Sequence, residues 1–198
     1  MKIRIAVASG KGGTGKTFVA SSLFYSLLLQ KEDVVLVDCD AEEPNASLFF
    51  DLKQTKQSIV TQKVPVIDTD KCSYCGECHT YCNYNAVFII PPSKIIQIIE
   101  DLCHGCGACM MACKYDAITE KDVELGRVTN YITPDNNTLI EARMKVGVYS
   151  PVPVIKSAIE ESNGHTYVIM DAPPGTSCPF IQTVERSDFI ILVTEPTP

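Results

Sequence analysis

The sequence predicts an α/β fold, in which a parallel sheet is covered by helices on both faces and a cysteine-rich segment interrupts the chain. Strand and helix patterns alternate through residues 2–60 and again after residue 145, as is typical of parallel sheets. Residues 64–120 lie between them and hold eight of the ten cysteines. We therefore expect an α/β domain formed by residues 1–62 and 123–198, with residues 63–122 as an inserted domain.

The first segment shows a strand–helix–strand pattern. Ile3 to Ala8 is an apolar run that predicts a buried strand, Thr17 to Gln30 predicts a helix, and Val34 to Val37 predicts a second strand. A further helix is expected before residue 60.

The last segment resumes the alternation. Residues 121–144 have no clear period, so no element is assigned there, although Leu139 to Arg143 could pair as a strand. The elements expected beyond it are a strand at Lys145–Val148, a helix at Val154–Glu161, a strand at Tyr167–Met170, a helix at Phe180–Arg186 and a strand at Phe189–Val193.

The amino-acid composition and charge argue against several classes of protein. The chain of 198 residues is 45% hydrophobic and 21% charged, which describes an ordinary globular protein. Its net charge of -7 argues against a nucleic-acid partner and suits basic patches on redox partner proteins. No apolar run is long enough to span a bilayer, and the N-terminus does not resemble a signal peptide. We expect a cytoplasmic protein whose clustered cysteines do not form a disulfide framework.

A glycine-rich segment between the first predicted strand and the first predicted helix matches the loop that cradles nucleotide phosphates with backbone amides. Lys16 would bring a positive charge to the β and γ phosphates, and Thr17 would offer a hydroxyl to Mg²⁺. The helix that follows adds its dipole. The predicted nucleotide-binding residues are Gly10, Gly12, Gly13, Thr14, Gly15, Lys16 and Thr17.

The cysteines form two copies of one pattern, Cys72-x2-Cys75-x2-Cys78-x3-Cys82 and Cys103-x2-Cys106-x2-Cys109-x3-Cys113. This spacing is typical of [4Fe–4S] clusters, because it lets one loop cover three irons. Zinc also binds Cys-x2-Cys pairs, but a structural zinc site does not need a third cysteine at the same spacing. The two copies repeat at an offset of 31 residues, since Tyr84-Asn85-Ala86-Val87 matches Tyr115-Asp116-Ala117-Ile118.

The other notable side chains, near the cysteine motifs and elsewhere, are expected to have solvent-exposed or packing roles. His79 and His104 are expected to be solvated beside the loops. The tyrosines at positions 74, 81, 84 and 115 are expected to pack the small core around the clusters. Cys39 and Cys178 are interpreted as inert small hydrophobic residues.

The cysteine block resembles the bacterial two-cluster ferredoxins, in which the last cysteine of each run ligates the other cluster. The resemblance implies an α+β ferredoxin-like domain with two [4Fe–4S] clusters. It departs from that family after each fourth cysteine, where Asn83 and Lys114 replace the usual proline. The implied ligand sets are Cys72, Cys75, Cys78 with Cys113, and Cys103, Cys106, Cys109 with Cys82.

The glycine-rich loop, with its extra lysine, resembles the deviant loop of the MinD, ParA and nitrogenase iron protein ATPases. In those relatives the residue at Lys11 reaches the nucleotide of a second protomer, which implies an ATP-dependent homodimer. The segment from Asp38 to Asn45 resembles the first switch of the family, with Asp40 positioning water and contacting Mg²⁺. The segment from Asp171 to Thr176 resembles the second switch, with Asp171 on Mg²⁺ and the Gly175 amide sensing the γ phosphate.

Together the motifs resemble MinD-like P-loop ATPases that carry an inserted ferredoxin domain. Relatives continue past the strand ending at Thr194-Glu195-Pro196 with further strands, helices and base-recognising residues, so the resemblance implies that the C-terminal part of the sheet is missing here. The preference for ATP over GTP then rests on analogy alone.

Three functions remain open. In the first, ATP binding closes a dimer and an electron passes through the clusters to a redox partner protein, with Lys11, Lys16 and Asp40 in the catalytic roles. In the second, the protein is an iron–sulfur carrier or scaffold of the Mrp type. In the third, it is an intracellular positioning ATPase with an incidental insert. Two complete cysteine sets favour the first function over the second.

Overall fold

The computed structural model describes residues 2–195 and divides into two compact units. The first unit contains residues 2–60, 125–146 and 150–195, and the second contains residues 61–124 and 147–149. Among the described residues, no helix is long and apolar enough to cross a membrane. The expected division into an α/β domain and an inserted ferredoxin-like domain stays a prediction.

The first unit is built on seven strands: β1 (Ile3–Ala8), β2 (Val34–Asp38), β3 (Lys53–Ile67), β6 (Ile118–Ile132), β7 (Thr138–Met144), β8 (Tyr167–Asp171) and β9 (Phe189–Leu192). They form one sheet with the order β3-β6-β7-β2-β8-β1-β9. Parallel pairing joins β1 to β8 and β9, and β2 to β7 and β8, whereas β6 is antiparallel to β7. The fold is therefore α/β with a mostly parallel sheet.

Three helices pack against this sheet. Helix α1 (Lys16–Leu29) packs on β2 and β8, α4 (Val152–Glu161) packs on β7, and α5 (Cys178–Val184) packs on α4 and β1. The core between α1 and the sheet is apolar, and the Phe24 ring meets the Phe50 ring edge-on at 5.3 Å. Its fully buried members are Val7, Ala20, Phe24, Val34, Leu36, Ala46, Leu139 and Ile169.

The second unit is small and has short elements. Helices α2 (Glu77–Thr80) and α3 (Ala108–Ala112) pack on each other, and β4 (Val87–Ile90) pairs with β5 (Ile95–Ile98) as an antiparallel ribbon. The strand β3 ends, and β6 begins, in this unit. Its core combines aliphatic side chains with cysteines: Val64, Cys78, Ala86, Val87, Cys103 and Ile118.

Most of the expected α/β elements are confirmed, and two are wrong. The helix expected before residue 60 is absent: Ala46–Phe49 forms a 3-10 turn and Lys53 already begins β3. The strand expected at residues 145–148 is a turn, and the strand lies just before it, at Thr138–Met144. The first error arises because β3 is polar and mostly exposed, so it lacks the apolar alternation on which sequence patterns depend. The second error places the strand a few residues too late, because β7 carries Glu141 and Arg143 among its buried apolar residues and so lacks an unbroken apolar run.

Candidate functional site

Three acidic side chains meet at the carboxyl ends of neighbouring parallel strands in the first unit. Asp38 on β2 is in register with Asp171 on β8, and on its other side with Glu141 on β7. All three are buried. Ligands of open α/β sheets bind at this edge, so the row of carboxyl groups marks the candidate site.

Asp171 is a buried carboxyl group whose charge is poorly compensated. Within residues 2–195, neither of its oxygens has a hydrogen-bond partner of good geometry. Burial, with a smaller contribution from the charge of Asp40, raises the pKa of Asp171 to about 6, against the opposing effects of the Thr17 hydroxyl and the charge of Lys16. The structure therefore places Lys16, Thr17 and Asp40 around Asp171. A carboxyl group in this state suits a cation as its partner.

Asp38 holds the loop that carries Asp40. Its carboxylate accepts hydrogen bonds from the backbone amides of Asp40 at 3.1 Å, Asn45 at 2.9 Å and Ala46 at 2.8 Å. Burial and then the charge of Asp171 raise the pKa of Asp38 to about 7, against the effect of these amides. Burial also raises the pKa of Asp40, while the Glu43 amide and Lys16 oppose that shift.

The glycine-rich loop faces open space. Gly13 (φ 79°) and Gly15 (φ 91°) adopt the left-handed conformation that favours glycine. Gly10 and Gly12 do not, and a Cβ added to either would meet no described atom within 4 Å. The fold itself therefore gives no reason for these two glycines, whereas close approach of a ligand to the backbone does.

A buried hydroxyl in the same loop also lacks a protein partner. The Thr14 Oγ1 atom is buried and has no hydrogen-bond partner within the described chain. Together with the unpaired Asp171 oxygens, it shows that the surroundings of the loop fit a polar ligand and a cation.

Two further expected site residues are Lys11, which lies within the glycine-rich loop, and Gly175. The Nζ of Lys11 lies 3.3 Å from the Glu195 Oε2, and both side chains are exposed. The Gly175 amide donates a hydrogen bond to the Ser9 carbonyl at 3.3 Å, and Gly175 has φ 91°. That amide would have to leave Ser9 before it could contact a phosphate.

Sequence reasoning missed Asp38 and Glu141. Asp38 carried the same signal as Asp171, an acid at the carboxyl end of a buried strand. Glu141 could not be found, because its strand was not assigned. Its Oε2 accepts a hydrogen bond from the Ser47 hydroxyl at 3.0 Å, and its Oε1 pairs with the Arg143 guanidinium at 2.9 Å.

The second unit contains two cavities lined by cysteines. Each draws three cysteines from one run and the last cysteine from the other run. The first cavity is lined by Cys72, Cys75, Cys78 and Cys113. The second cavity is lined by Cys82, Cys103, Cys106 and Cys109.

Backbone geometry repeats around the two cavities. Left-handed residues occur in pairs 31 positions apart, and backbone amides donate to cysteine sulfurs: Tyr74 to Cys72 at 3.4 Å, Gly105 to Cys103 at 3.5 Å. Such hydrogen bonds tune the potential of sulfur-bound iron. The left-handed pairs are Tyr74 with Gly105, Gly76 with Gly107, and Asn85 with Asp116.

The cysteines do not form a site for a single ion. Among the described residues, no group of three or more His, Cys, Asp or Glu side chains is arranged to hold one metal ion. Burial raises the thiol pKa of Cys78 and Cys103, and that of Cys109 to about 11. Cys75 and Cys106 are exposed.

Several neighbours differ from expectation. His79 and His104 are exposed, as expected, but each also makes a contact: the His79 Nδ1 lies 2.6 Å from the Val87 carbonyl oxygen, and His104 stacks on Tyr84. The tyrosines at 81, 84 and 115 are 58%, 43% and 51% exposed, so aliphatic residues and cysteines form the core instead. Cys39 is buried as expected, and Cys178 is exposed.

The sheet, the glycine-rich loop and the acidic row define a P-loop nucleotide-binding domain. The family described as the CobQ/CobB/MinD/ParA nucleotide binding domain matches residues 5–167, and the chain belongs to this family.

Two uncharacterized proteins of Methanocaldococcus jannaschii are similar along almost the whole chain. MJ0578 is 36% identical over 200 residues, covering 98% of this chain and 68% of that protein. MJ0579 is 30% identical over 204 residues, covering 98% and 70%.

Among solved structures, the septum site-determining protein MinD of Pyrococcus horikoshii, complexed with Mg-ADP, has a TM-score of 0.51 and 17% identity. The match covers 100% of this chain, which spans only 59% of the MinD chain. The likeness shows the fold. The inserted two-cluster ferredoxin domain stays a prediction.

Proposed function

We propose that this protein is an ATPase that forms an ATP-dependent homodimer and couples nucleotide binding to electron transfer through two [4Fe–4S] clusters. The observation that carries the proposal is the pair of cysteine-lined cavities in a chain of the MinD/ParA nucleotide-binding family. Each cavity gathers the four cysteines that the ferredoxin resemblance assigns to one cluster.

The nucleotide site has the groups that phosphoryl transfer needs. Bound Mg-ATP would supply the transferable phosphoryl group and the cation that the Asp171 carboxylate lacks. Lys16 provides a fixed positive charge for the phosphates, Thr17 a hydroxyl for the cation, and Asp40 a carboxylate that orients water. Because phosphoryl transfer depends mainly on positioning and charge stabilisation, these residues account for the hydrolytic step.

Dimerisation is proposed from Lys11. Its side chain is exposed and pairs with Glu195 through a surface contact, which costs little to break. In a closed dimer the lysine would reach the nucleotide of the other protomer, so hydrolysis would require assembly. MinD of Pyrococcus horikoshii was solved with Mg-ADP, and we propose a similar ligand here.

The cysteine cavities fit clusters better than a single ion. In a cubane each thiolate binds a different iron, so the four sulfurs surround a volume and do not converge on one point. Amide donors to Cys72, Cys82 and Cys103 would stabilise the negative charge of sulfur-bound iron. When bound, the clusters supply one-electron carriers.

The chain connects the two functions directly. The loop after Asp38 leads through the 3-10 turn into β3, which ends close before Cys72. A change in that loop on nucleotide binding would act on the strand leading to the cysteines. This is the proposed route of coupling.

Anaerobic purification followed by iron, sulfide and metal analysis tests the cluster proposal. We expect about eight iron and eight sulfide per chain, and stoichiometric zinc without sulfide would rule the clusters out. The coupling is tested by redox titration with and without ATP, in which nucleotide should shift a cluster potential or the rate of electron transfer.

The exposure of Cys75 and Cys106 favours a second candidate, an iron–sulfur carrier of the Mrp type. Exposed ligands permit a cluster to leave for an acceptor. If clusters move readily to an apo-acceptor while nucleotide changes neither potential nor electron-transfer rate, the carrier function replaces the first proposal.

A further inference from the structure

We propose that a stack of three rings, formed by Tyr84, His104 and Tyr149, braces the ligand loop of the second cavity. The cluster bound there is therefore retained more firmly than the cluster of the first cavity. This inference rests on the proposed presence of two clusters and concerns how each of them is held.

The stack is closely packed. The rings of Tyr84 and His104 lie 3.7 Å apart at an interplanar angle of 10°, and the rings of His104 and Tyr149 lie 4.3 Å apart at 39°. His104 is therefore held between two tyrosines. Aromatic contacts of this kind stabilise beyond the area that they bury.

The stack joins the two chain segments that supply cysteines to the second cavity. Tyr84 follows Cys82 by two residues, and His104 follows Cys103 directly. Tyr84 and His104 also line the cavity themselves. Fixing the two rings against each other therefore fixes the separation of Cys82 and Cys103.

Tyr149 supports the same loop by a second route. Its hydroxyl donates to the Gln62 Oε1 at 3.4 Å, and the Gln62 Nε2 donates to the Cys103 carbonyl at 2.7 Å. Tyr149 thus acts on the Cys103 segment through a ring contact and through a hydrogen-bonded side chain. Because it lies 46 positions after Cys103, no local spacing pattern links it to the cysteines.

The first cavity cannot build the same stack. In the 31-residue repeat, Tyr115 is the counterpart of Tyr84, but Ser73 is the counterpart of His104. Ser73 and Tyr115 both line the first cavity, and serine has no ring to stack. The two halves of the repeat therefore differ at this position, and only the half at the second cavity has a ring that can stack.

The test measures cluster loss from the purified, cluster-loaded protein under anaerobic treatment with an iron chelator. We expect wild-type protein to release iron in two equal phases, because the two sites differ in retention. Tyr84→Ala and Tyr149→Ala should accelerate the slow phase by roughly tenfold, since one aromatic pair contributes free energy of the order that changes a rate tenfold. Tyr84→Phe should keep the slow phase.

Tyr115→Ala is the matched control, because it removes the equivalent ring from the first cavity. It should leave the slow phase unchanged. The potentials of the two clusters, followed by electron paramagnetic resonance, should shift for one cluster only in Tyr84→Ala and for the other only in Tyr115→Ala.

A single phase in the wild type, or an unchanged slow phase in both Tyr84→Ala and Tyr149→Ala, would overturn the inference and leave the proposed clusters intact. Absence of iron and sulfide from the wild type would instead remove the proposed function, and with it this inference.

Discussion

Asp38 and Asp171 occupy paired positions on the adjacent parallel strands β2 and β8, and both carboxyl groups are buried. Three backbone amides compensate Asp38, whereas neither oxygen of Asp171 has a well-formed partner among the described residues. The charge of Asp171 contributes to raising the pKa of Asp38, and the charge of Asp40 contributes to raising that of Asp171. The site is therefore strained electrostatically until a proton or a cation reaches Asp171.

This strain predicts a pH-dependent effect of Asp171→Asn on the ligand-free protein. The folded-state pKa of about 6 lies above the ordinary aspartate value of 3.8, so between these values the folded chain holds a proton that the unfolded chain has released. Stability is then lost as pH rises from about 4 to about 6. Since Asn is neutral throughout, the free energy of unfolding of the variant should rise relative to that of the wild type across this window. The difference should reach on the order of 3 kcal/mol at pH 7.

Denaturant unfolding at pH 4 and pH 7, with EDTA present, measures that difference. Asp51→Asn, at an exposed position, controls for the loss of one surface charge. A stability gain for Asp171→Asn that is equal at both pH values would contradict the assignment. With Mg-ADP added, the variant should gain less stability than the wild type, because it lacks the carboxylate expected on the cation.

Substitution of Lys11 tests hydrolysis in trans. Lys11→Ala should lower kcat by roughly a thousandfold, by analogy with cationic groups supplied across an interface, while ATP affinity changes little. Steady-state turnover and equilibrium binding of a fluorescent ATP analogue separate the two effects. Lys31→Ala, at an exposed position after α1, is the control. Unchanged turnover in Lys11→Ala would show that this lysine does not act on the nucleotide.

Substitutions of two glycines distinguish a glycine needed for ligand contact from a glycine needed for packing. Gly12→Ala should leave the melting temperature unchanged, because its Cβ would meet no described atom within 4 Å, yet it should weaken nucleotide binding by roughly tenfold or more. Gly126→Ala is the opposite case. Its Cβ would meet the Arg143 carbonyl oxygen and, at 2.8 Å, the Met144 Cα, so unfolding should become easier by about 2 kcal/mol. Calorimetry and nucleotide titration of both variants check the contrast.

Double cysteine variants test the exchange of fourth ligands between the two runs. Cys72 and Cys113 line the same cavity, whereas Cys72 and Cys82 line different cavities. Cys72→Ser with Cys113→Ser should therefore leave one cluster, about four iron per chain, while Cys72→Ser with Cys82→Ser should damage both. The opposite ranking of iron contents would show that each run ligates its own cluster.

The sequence was sufficient for the parts of the protein that depend on local chemistry. The buried strands β1, β2 and β8 and the helix α1 followed from apolar runs and from the glycine-rich loop between them. Lys16 and Thr17 were expected from the glycine-rich loop, and Asp40 and Asp171 from the resemblance to the two switch segments, supported by the rule that ligands gather at the carboxyl ends of parallel strands.

Only the tertiary structure decided which distant residues support these sites. Glu141 enters the acidic row because β7 pairs with β2, and Tyr149 reaches His104 across 45 positions of sequence. Strand order and long-range ring contacts depend on how distant segments of the chain pack, and no local sequence pattern records them. Local motifs therefore determined which residues form the sites, whereas packing determined which distant side chains hold those residues in position.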